Sequence, residues 1–175
     1  MIADEKIGLG GGCHWCTEAV FQSLKGVISV DQGYLASTDE FSSFSEGIIV
    51  TYDPDTINIS LLIEIHLLTH KSTKNHSMRS KYRSAIYTFS EQQNTEVNQI
   101  LTTLNKERDG ALITLVLEFL KFKPSREEIT NYYFNNPKKP FCESFINPKL
   151  ILLLRNYANA IKQDKLDHLK KEITA

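Results

Sequence analysis

The sequence predicts an α+β fold, a two-layer sandwich with a mixed sheet. Three observations lead there. β-rich runs alternate with runs whose apolar residues fall about one helical turn apart. Glycine, proline and Asp/Asn turn signals separate the runs. The order is βαββαβ, followed by a further helix and strand, which suits helices packed on a sheet.

Each element has its own justification. Residues 7–9 form a short apolar strand stopped by glycine. Residues 15–24 turn helical, with Val20, Phe21 and Leu24 inward and Lys25-Gly26 as the stop. Residues 27–34 alternate like a strand, and residues 35–45, rich in serine, read as a loop. Residues 47–52 are β-rich and end at Asp53-Pro54-Asp55. Asn58 or Ser60 caps a helix reaching His70, with Leu61, Leu62, Ile65 and Leu68 on one face. Residues 71–81 are polar and aperiodic, a surface loop, and the basic residues Lys74, Arg79, Lys81 and Arg83 read as a solvated face. Residues 82–89 make a strand, and Ser90 with Gln93 resembles a capping box. Val97, Ile100, Leu101 and Leu104 stripe the helix that follows. Asp109-Gly110 turns the chain into a strand at 112–119. Residues 125–134 suggest a short helix, its first turn suited to Glu127 and Glu128. Pro137 and Pro140 predict an extended segment leading to Cys142. Residues 148–171 read as one amphipathic C-terminal helix, with Leu150, Leu154, Tyr157 and Ile161 inward. The expected arrangement is a ferredoxin-like βαββαβ core plus that helix, forming one domain over residues 1–175.

Composition narrows the function. A net charge of −1 gives no electrostatic reason to seek nucleic acid or an anionic membrane. No apolar run approaches the ~20 residues of a membrane helix. The N-terminus lacks a signal-peptide pattern, so a cytoplasmic location is expected. In that setting three cysteines point to catalysis or metal binding rather than a disulfide framework.

The chemistry concentrates at Gly10-Gly11-Gly12-Cys13-His14-Trp15-Cys16-Thr17-Glu18. A strand ends in glycines and a cysteine stands where a helix begins. Unpaired N–H groups and the helix dipole favour negative charge there, which makes a thiol reactive. Glu18, a turn beyond Trp15, reads as a structural first-turn carboxylate.

These residues resemble the signature of the peptide methionine sulfoxide reductase A family. The resemblance continues through Gly33-Tyr34, through Glu46 with Tyr52-Asp53-Pro54, and through Lys81-Tyr82-Arg83-Ser84-Ala85-Ile86-Tyr87. Tyr132-Tyr133, Asn136-Pro137 and Pro140-Phe141-Cys142 are similar to its C-terminal segment. The resemblance implies a thiol-based reductase of methionine S-sulfoxide, free or in proteins. It implies Cys13 as nucleophile, Glu46 as proton donor, and Tyr82 and Tyr132 as phenols holding the sulfoxide oxygen. Trp15, with His14, would form the wall around the substrate methyl group. Cys16 or Cys142 would resolve a Cys13 sulfenic acid as a disulfide, and thioredoxin or another thiol would reduce it, with no bound cofactor.

The sequence departs from the family at three places. His14 stands where the family has phenylalanine, Ser77 where an aspartate is expected, and Phe41 or Phe44 where a tyrosine is expected. Two other classes stay open. Cys13-His14-Trp15-Cys16 also has the spacing of a general dithiol oxidoreductase. Cys13, Cys16, Cys142 and His14 or His76 are conceivable zinc ligands.

Overall fold

A computed structural model describes residues 3–75 and 78–173 of the chain. Six strands form one sheet: β1 (Glu5–Gly10), β2 (Val27–Ala36), β3 (Ser45–Tyr52), β4 (Ala85–Thr88), β5 (Leu115–Glu118) and β6 (Lys121–Pro124). Their spatial order is β5-β4-β1-β3-β2-β6. Neighbours run antiparallel except β4 and β5, which are parallel. The sheet is therefore mixed, and helices pack on it as expected.

Alternation along the strands separates two apolar faces. Ile7, Leu9, Ile48, Val50 and Ile86 face the main core, which also takes Val20, Phe21, Leu62 and Ile65 from helices α1 (His14–Gln22) and α2 (Ile59–Leu68). Ile49, Ala85 and Tyr87 face a smaller cluster with Leu35 and Leu117. Phe41 packs against this smaller cluster and under the Arg83 guanidinium at 5.8 Å, while Phe44 is largely exposed.

Local signals fixed most boundaries. Asn58 Oδ1 accepts the Leu61 N–H at 2.8 Å and starts α2. Ser90 Oγ accepts the Gln93 N–H at 3.1 Å, and Gln93 Oε1 reaches back to the Phe89 N–H, at the head of α3 (Glu91–Lys106). Asp109 and Gly110 both take positive φ in the turn before β5.

Four expectations need correction. The predicted strand at 82–89 shortens to β4, because the Arg83 N–H bonds Ser45 Oγ instead of a neighbouring strand. Strand β6 falls where the sequence predicts no element. Lys121, Phe122, Lys123 and Pro124 have the lysine-and-proline look of a guarded edge. It docks where Gly33 leaves room: a Cβ on Gly33 would lie 2.3 Å from the Lys123 carbonyl oxygen.

The segment leading to Cys142 is not extended: it turns over 137–139 and becomes helical at Pro140. It passes through a π turn at Cys142–Ile146 directly into α5 (Asn147–Asn156). The predicted single C-terminal helix ends at Asn156. It continues as two 3₁₀ stretches, Ala158–Ala160 and Gln163–Leu169, before α6 (Lys170–Ile173). The break lets the tail turn back: Ile161 bridges Leu24, and Lys162 donates its backbone N–H to the Ser23 carbonyl at 2.8 Å. Tyr133 pins the same tail, donating its hydroxyl proton to Asn147 Oδ1 at 2.5 Å while His168 Nε2 lies 2.7 Å away.

Candidate active site

Cys13 occupies the N-cap of α1, with φ −59° and ψ 126°. Its carbonyl accepts the first helical bonds, from the Cys16 and Thr17 N–H groups at 3.1 and 3.2 Å. The thiol is held below its ordinary value of 9.0 chiefly by a hydrogen bond from the Cys16 thiol. Burial opposes that shift, the Trp15 and Cys16 backbone N–H groups assist it, and the Glu46 charge opposes it. Cys16 shows the complement. Donating to Cys13 and being buried, it holds its own proton far above the usual range, with Lys149 the opposing charge.

The glycine turn is buttressed from below. Gly11 has φ +153°, and the His70 ring fills the space where a side chain would point. His70 is fixed by His66 O at 2.5 Å and Ser84 Oγ at 2.8 Å, and burial drives its proton affinity down to about 4. Arg79 donates to the carbonyls of Gly11 and Tyr82 at 2.8 and 2.9 Å, tying the 71–82 loop to the turn.

The basic residues of this stretch are thus not simply a solvated face. Arg83 is buried and donates to Leu35 O, Ser43 O and the Tyr87 hydroxyl. A guanidinium satisfies several carbonyls at once, which is why the side chain can be buried.

Glu46 lies in β3, nearly buried, against the start of α1. Its Oε1 accepts the His14 backbone N–H at 3.3 Å and lies 3.3 Å from His14 Nε2. Its Oε2 lies 3.6 Å from Lys81 Nζ. The structure therefore gathers Cys13, Cys16, His14 and Glu46 at one helix end.

Cys13, Cys16 and Tyr82 line a surface groove of about 680 Å³, walled by Met78, Phe141 and Phe145. Glu46, His14, Trp15 and Tyr132 lie outside that lining. Tyr132 stacks on Trp15 with ring centres 4.0 Å apart and planes 7° apart, and Phe141 meets Trp15 edge-on at 5.4 Å. The face of Trp15 expected against substrate is covered by Tyr132. Cys13 and Cys142 both act electrostatically on the Tyr132 phenol, after burial, to raise its proton affinity.

Cys142 is fully buried on the π turn rather than near the surface, and burial raises its thiol. Ser77 and His76 lie outside the described residues. Among the described residues no group of three or more His, Cys, Asp or Glu could hold a metal ion, so the zinc alternative has no ligand set there.

Glu18 has a role that its sequence position disguised. It is structural as expected, but it is only 2 % exposed and sits beyond the first turn of α1. Its oxygens accept the N–H groups of Asn131 and Tyr132 at 2.8 and 3.0 Å and Gln32 Nε2 at 3.0 Å. The carboxylate thereby fixes the backbone that carries Tyr132. The available signal was a glutamate among apolar residues on the inward face of α1; its partner, 113 positions away, had none.

Comparison with known proteins adds an independent line. The peptide methionine sulfoxide reductase family model matches residues 5–162. A peptide methionine sulfoxide reductase from Chromobacterium violaceum is 29% identical over 174 residues, covering 90% of this chain and 99% of that protein. One from Sulfolobus acidocaldarius is 30% identical over 164 residues, covering 85% and 93%. Among solved structures, methionine sulfoxide reductase A of Corynebacterium diphtheriae is similar with a TM-score of 0.66 and 23% identity, covering 78% of this chain and 77% of that one. Mxr1 of Saccharomyces cerevisiae in complex with Trx2 is similar with a TM-score of 0.55 and 18% identity, covering 71% and 83%. The likeness of these structures is one of fold.

Proposed function

The chain belongs to the peptide methionine sulfoxide reductase A family and is a thiol-dependent oxidoreductase of that class, and we propose that Cys13 is its nucleophile and Glu46 its acid. The observation that carries these roles is the Cys13 thiol at a helix N-cap, favoured as thiolate by the Cys16 hydrogen bond, with a buried carboxyl beside it. The substrate is methionine S-sulfoxide, free or in proteins.

Sulfoxide oxygen leaves poorly until it is protonated, so a thiolate and an acid must act together. The Cys13 thiolate and the sulfoxide, with one proton, yield the Cys13 sulfenic acid and methionine. The oxygen passes from substrate sulfur to Cys13 sulfur, and charge balances. Tyr82 and Tyr132 hydrogen-bond the oxygen in transit through their phenol groups and keep their protons. Trp15 bounds the substrate on the helix side, whereas His14 is buried away from the groove, and Tyr132 must move off Trp15 to expose its face.

The sulfenic acid condenses with a second thiol to a disulfide and water. Cys16 is the first resolving thiol, because it already hydrogen-bonds Cys13. Cys142 is the second, reached after the π turn rearranges. Thioredoxin or another dithiol then takes up the disulfide by exchange, restoring both thiols. The fold neighbour bound to Trx2 supports a thioredoxin partner.

No helix among the described residues is long and apolar enough to cross a membrane, and three free thiols suit a reducing, cytoplasmic setting.

The decisive experiment adds one equivalent of methionine S-sulfoxide to reduced protein and maps the disulfides by mass spectrometry. The expected product is one methionine and a Cys13–Cys16 bond. Methionine formation with Cys13 left as a free thiol would remove the reading. The Cys13–Cys16 pair also favours general dithiol exchange as a second activity; insulin disulfide reduction that is as fast as sulfoxide reduction would make that the main one.

A further inference from the structure

His14 is where the chain departs from the signature it otherwise resembles, and its surroundings assign it a task. The ring is 4 % exposed and held at both nitrogens. Nδ1 lies 2.9 Å from the Gly33 carbonyl oxygen. A carbonyl only accepts, so Nδ1 carries a hydrogen and donates it. Nε2 is then a bare lone pair in the neutral ring, or an N–H in the imidazolium. It sits 3.3 Å from Glu46 Oε1. A bare Nε2 against an ionised carboxylate would set two electron-rich atoms against each other in a buried place. Two favourable states remain: imidazolium with carboxylate, or neutral imidazole with carboxylic acid. They differ only in the position of one proton.

We propose that His14 is a positioning residue for the acid step: His14 Nε2 and Glu46 Oε1 hold one proton between them, and Glu46 passes that proton to the sulfoxide oxygen. The inference rests on the reading of Glu46 given above. The pair keeps a transferable proton within reach of Cys13. After transfer the neutral imidazole and the carboxylate await a proton from solvent.

The neighbours that face the pair are few. Lys81, from the loop before β4, lies 3.6 Å from Oε2. Cys13 opposes Glu46 by like charge when both are ionised. Glu18 feels His14 from within α1, where the His14 charge lowers it. Tyr34, from β2, meets the His14 ring edge-on at 5.2 Å. Tyr82 lies beyond Lys81, whose ammonium sits 5.1 Å from its ring centre. Among the described residues, His14 is the imidazole that meets Glu46.

The test measures single-turnover sulfoxide reduction against pH in wild type, His14→Phe and His14→Gln, with ¹⁵N NMR of the His14 ring in wild type and Glu46→Gln. Wild type is expected to keep its rate into the alkaline range. Both His14 variants should lose about tenfold near pH 8 while staying within about threefold near pH 6, a shift of the alkaline limb by about one pH unit. Glutamine keeps a polar group in the site yet cannot take up a proton, so it should not rescue the profile.

In the NMR arm, Nδ1 should be protonated in both proteins. Nε2 should read as protonated or shared in wild type and bare in Glu46→Gln. Superimposable pH profiles, an equal loss at every pH, or an Nε2 signal indifferent to Glu46→Gln would overturn the proposal. Wild type inert at every pH would sink the acid role of Glu46 instead, and the NMR arm would still decide whether the proton is shared.

Discussion

Two regions meet at Cys13, and they are built by different rules. Residues 10–22 form a strand end, a glycine turn and a helix start, held by contacts close in sequence and by the central sheet strands. Residues 121–173 wrap around them through an edge strand, 3₁₀ turns and a π turn, held almost entirely by distant partners. Glu18 on Asn131 and Tyr132, Trp15 against Tyr132, and Tyr133 with Asn147 and His168 are those ties. The first region fixes the nucleophile. The second brings a phenol and a thiol to it.

The strongest test of this contrast is Cys13→Ser. It should abolish sulfoxide reduction, measured as methionine released per protein, while leaving the fold intact by circular dichroism. Next is Glu46→Gln. Single-turnover reduction should slow by about 10²–10⁴-fold, the usual weight of a general acid. Alkylation of Cys13 should become no slower, because the Glu46 charge raises the Cys13 thiol and its removal favours the thiolate. Equal losses in both assays would place Glu46 with the structure rather than the chemistry.

Glu18→Ala cuts the tie between the regions and should cost about 1–3 kcal/mol in denaturant unfolding, the price of leaving buried N–H donors unpaired. It should also raise KM more than it lowers kcat. The milder Glu18→Gln exposes a pH effect. Burial, the largest cause, lifts the Glu18 carboxyl above its ordinary 4.5, against its three hydrogen bonds. The folded protein therefore binds more protons than the unfolded chain just above pH 4.5, and its stability falls as pH rises through the lifted value. Glu18→Gln should flatten that slope.

The smallest effect is expected at Cys142→Ser, which should still complete one turnover. In wild type the buried, raised Cys142 thiol should react with iodoacetamide about tenfold or more slower than Cys13.

What the sequence made legible follows the same division. The Cys13 helix start, the Asn58 and Ser90 caps and the four central strands rest on residues within a turn or a strand of each other. The C-terminal wrap does not. Residues 148–171 carry a helical pattern, yet the backbone bends at Tyr157 so that Ile161 can bridge Leu24. Strand β6 exists because Gly33 lacks a side chain. Arg79 and Arg83 read as surface charges until their carbonyl partners arrive from elsewhere. Periodicity encodes which face is apolar; it does not encode who will cover it.

Gly11 carries a last consequence. A Cβ there would come within 2.4 Å of the His70 ring, at a backbone angle that side chains rarely adopt. In a deep mutational scan this codon should therefore be as intolerant as Cys13 itself, although nothing of Gly11 reacts. Libraries that aim to re-engineer the enzyme gain by leaving it untouched and varying the opposite rim, at Leu68 and Phe145, whose side chains are exposed.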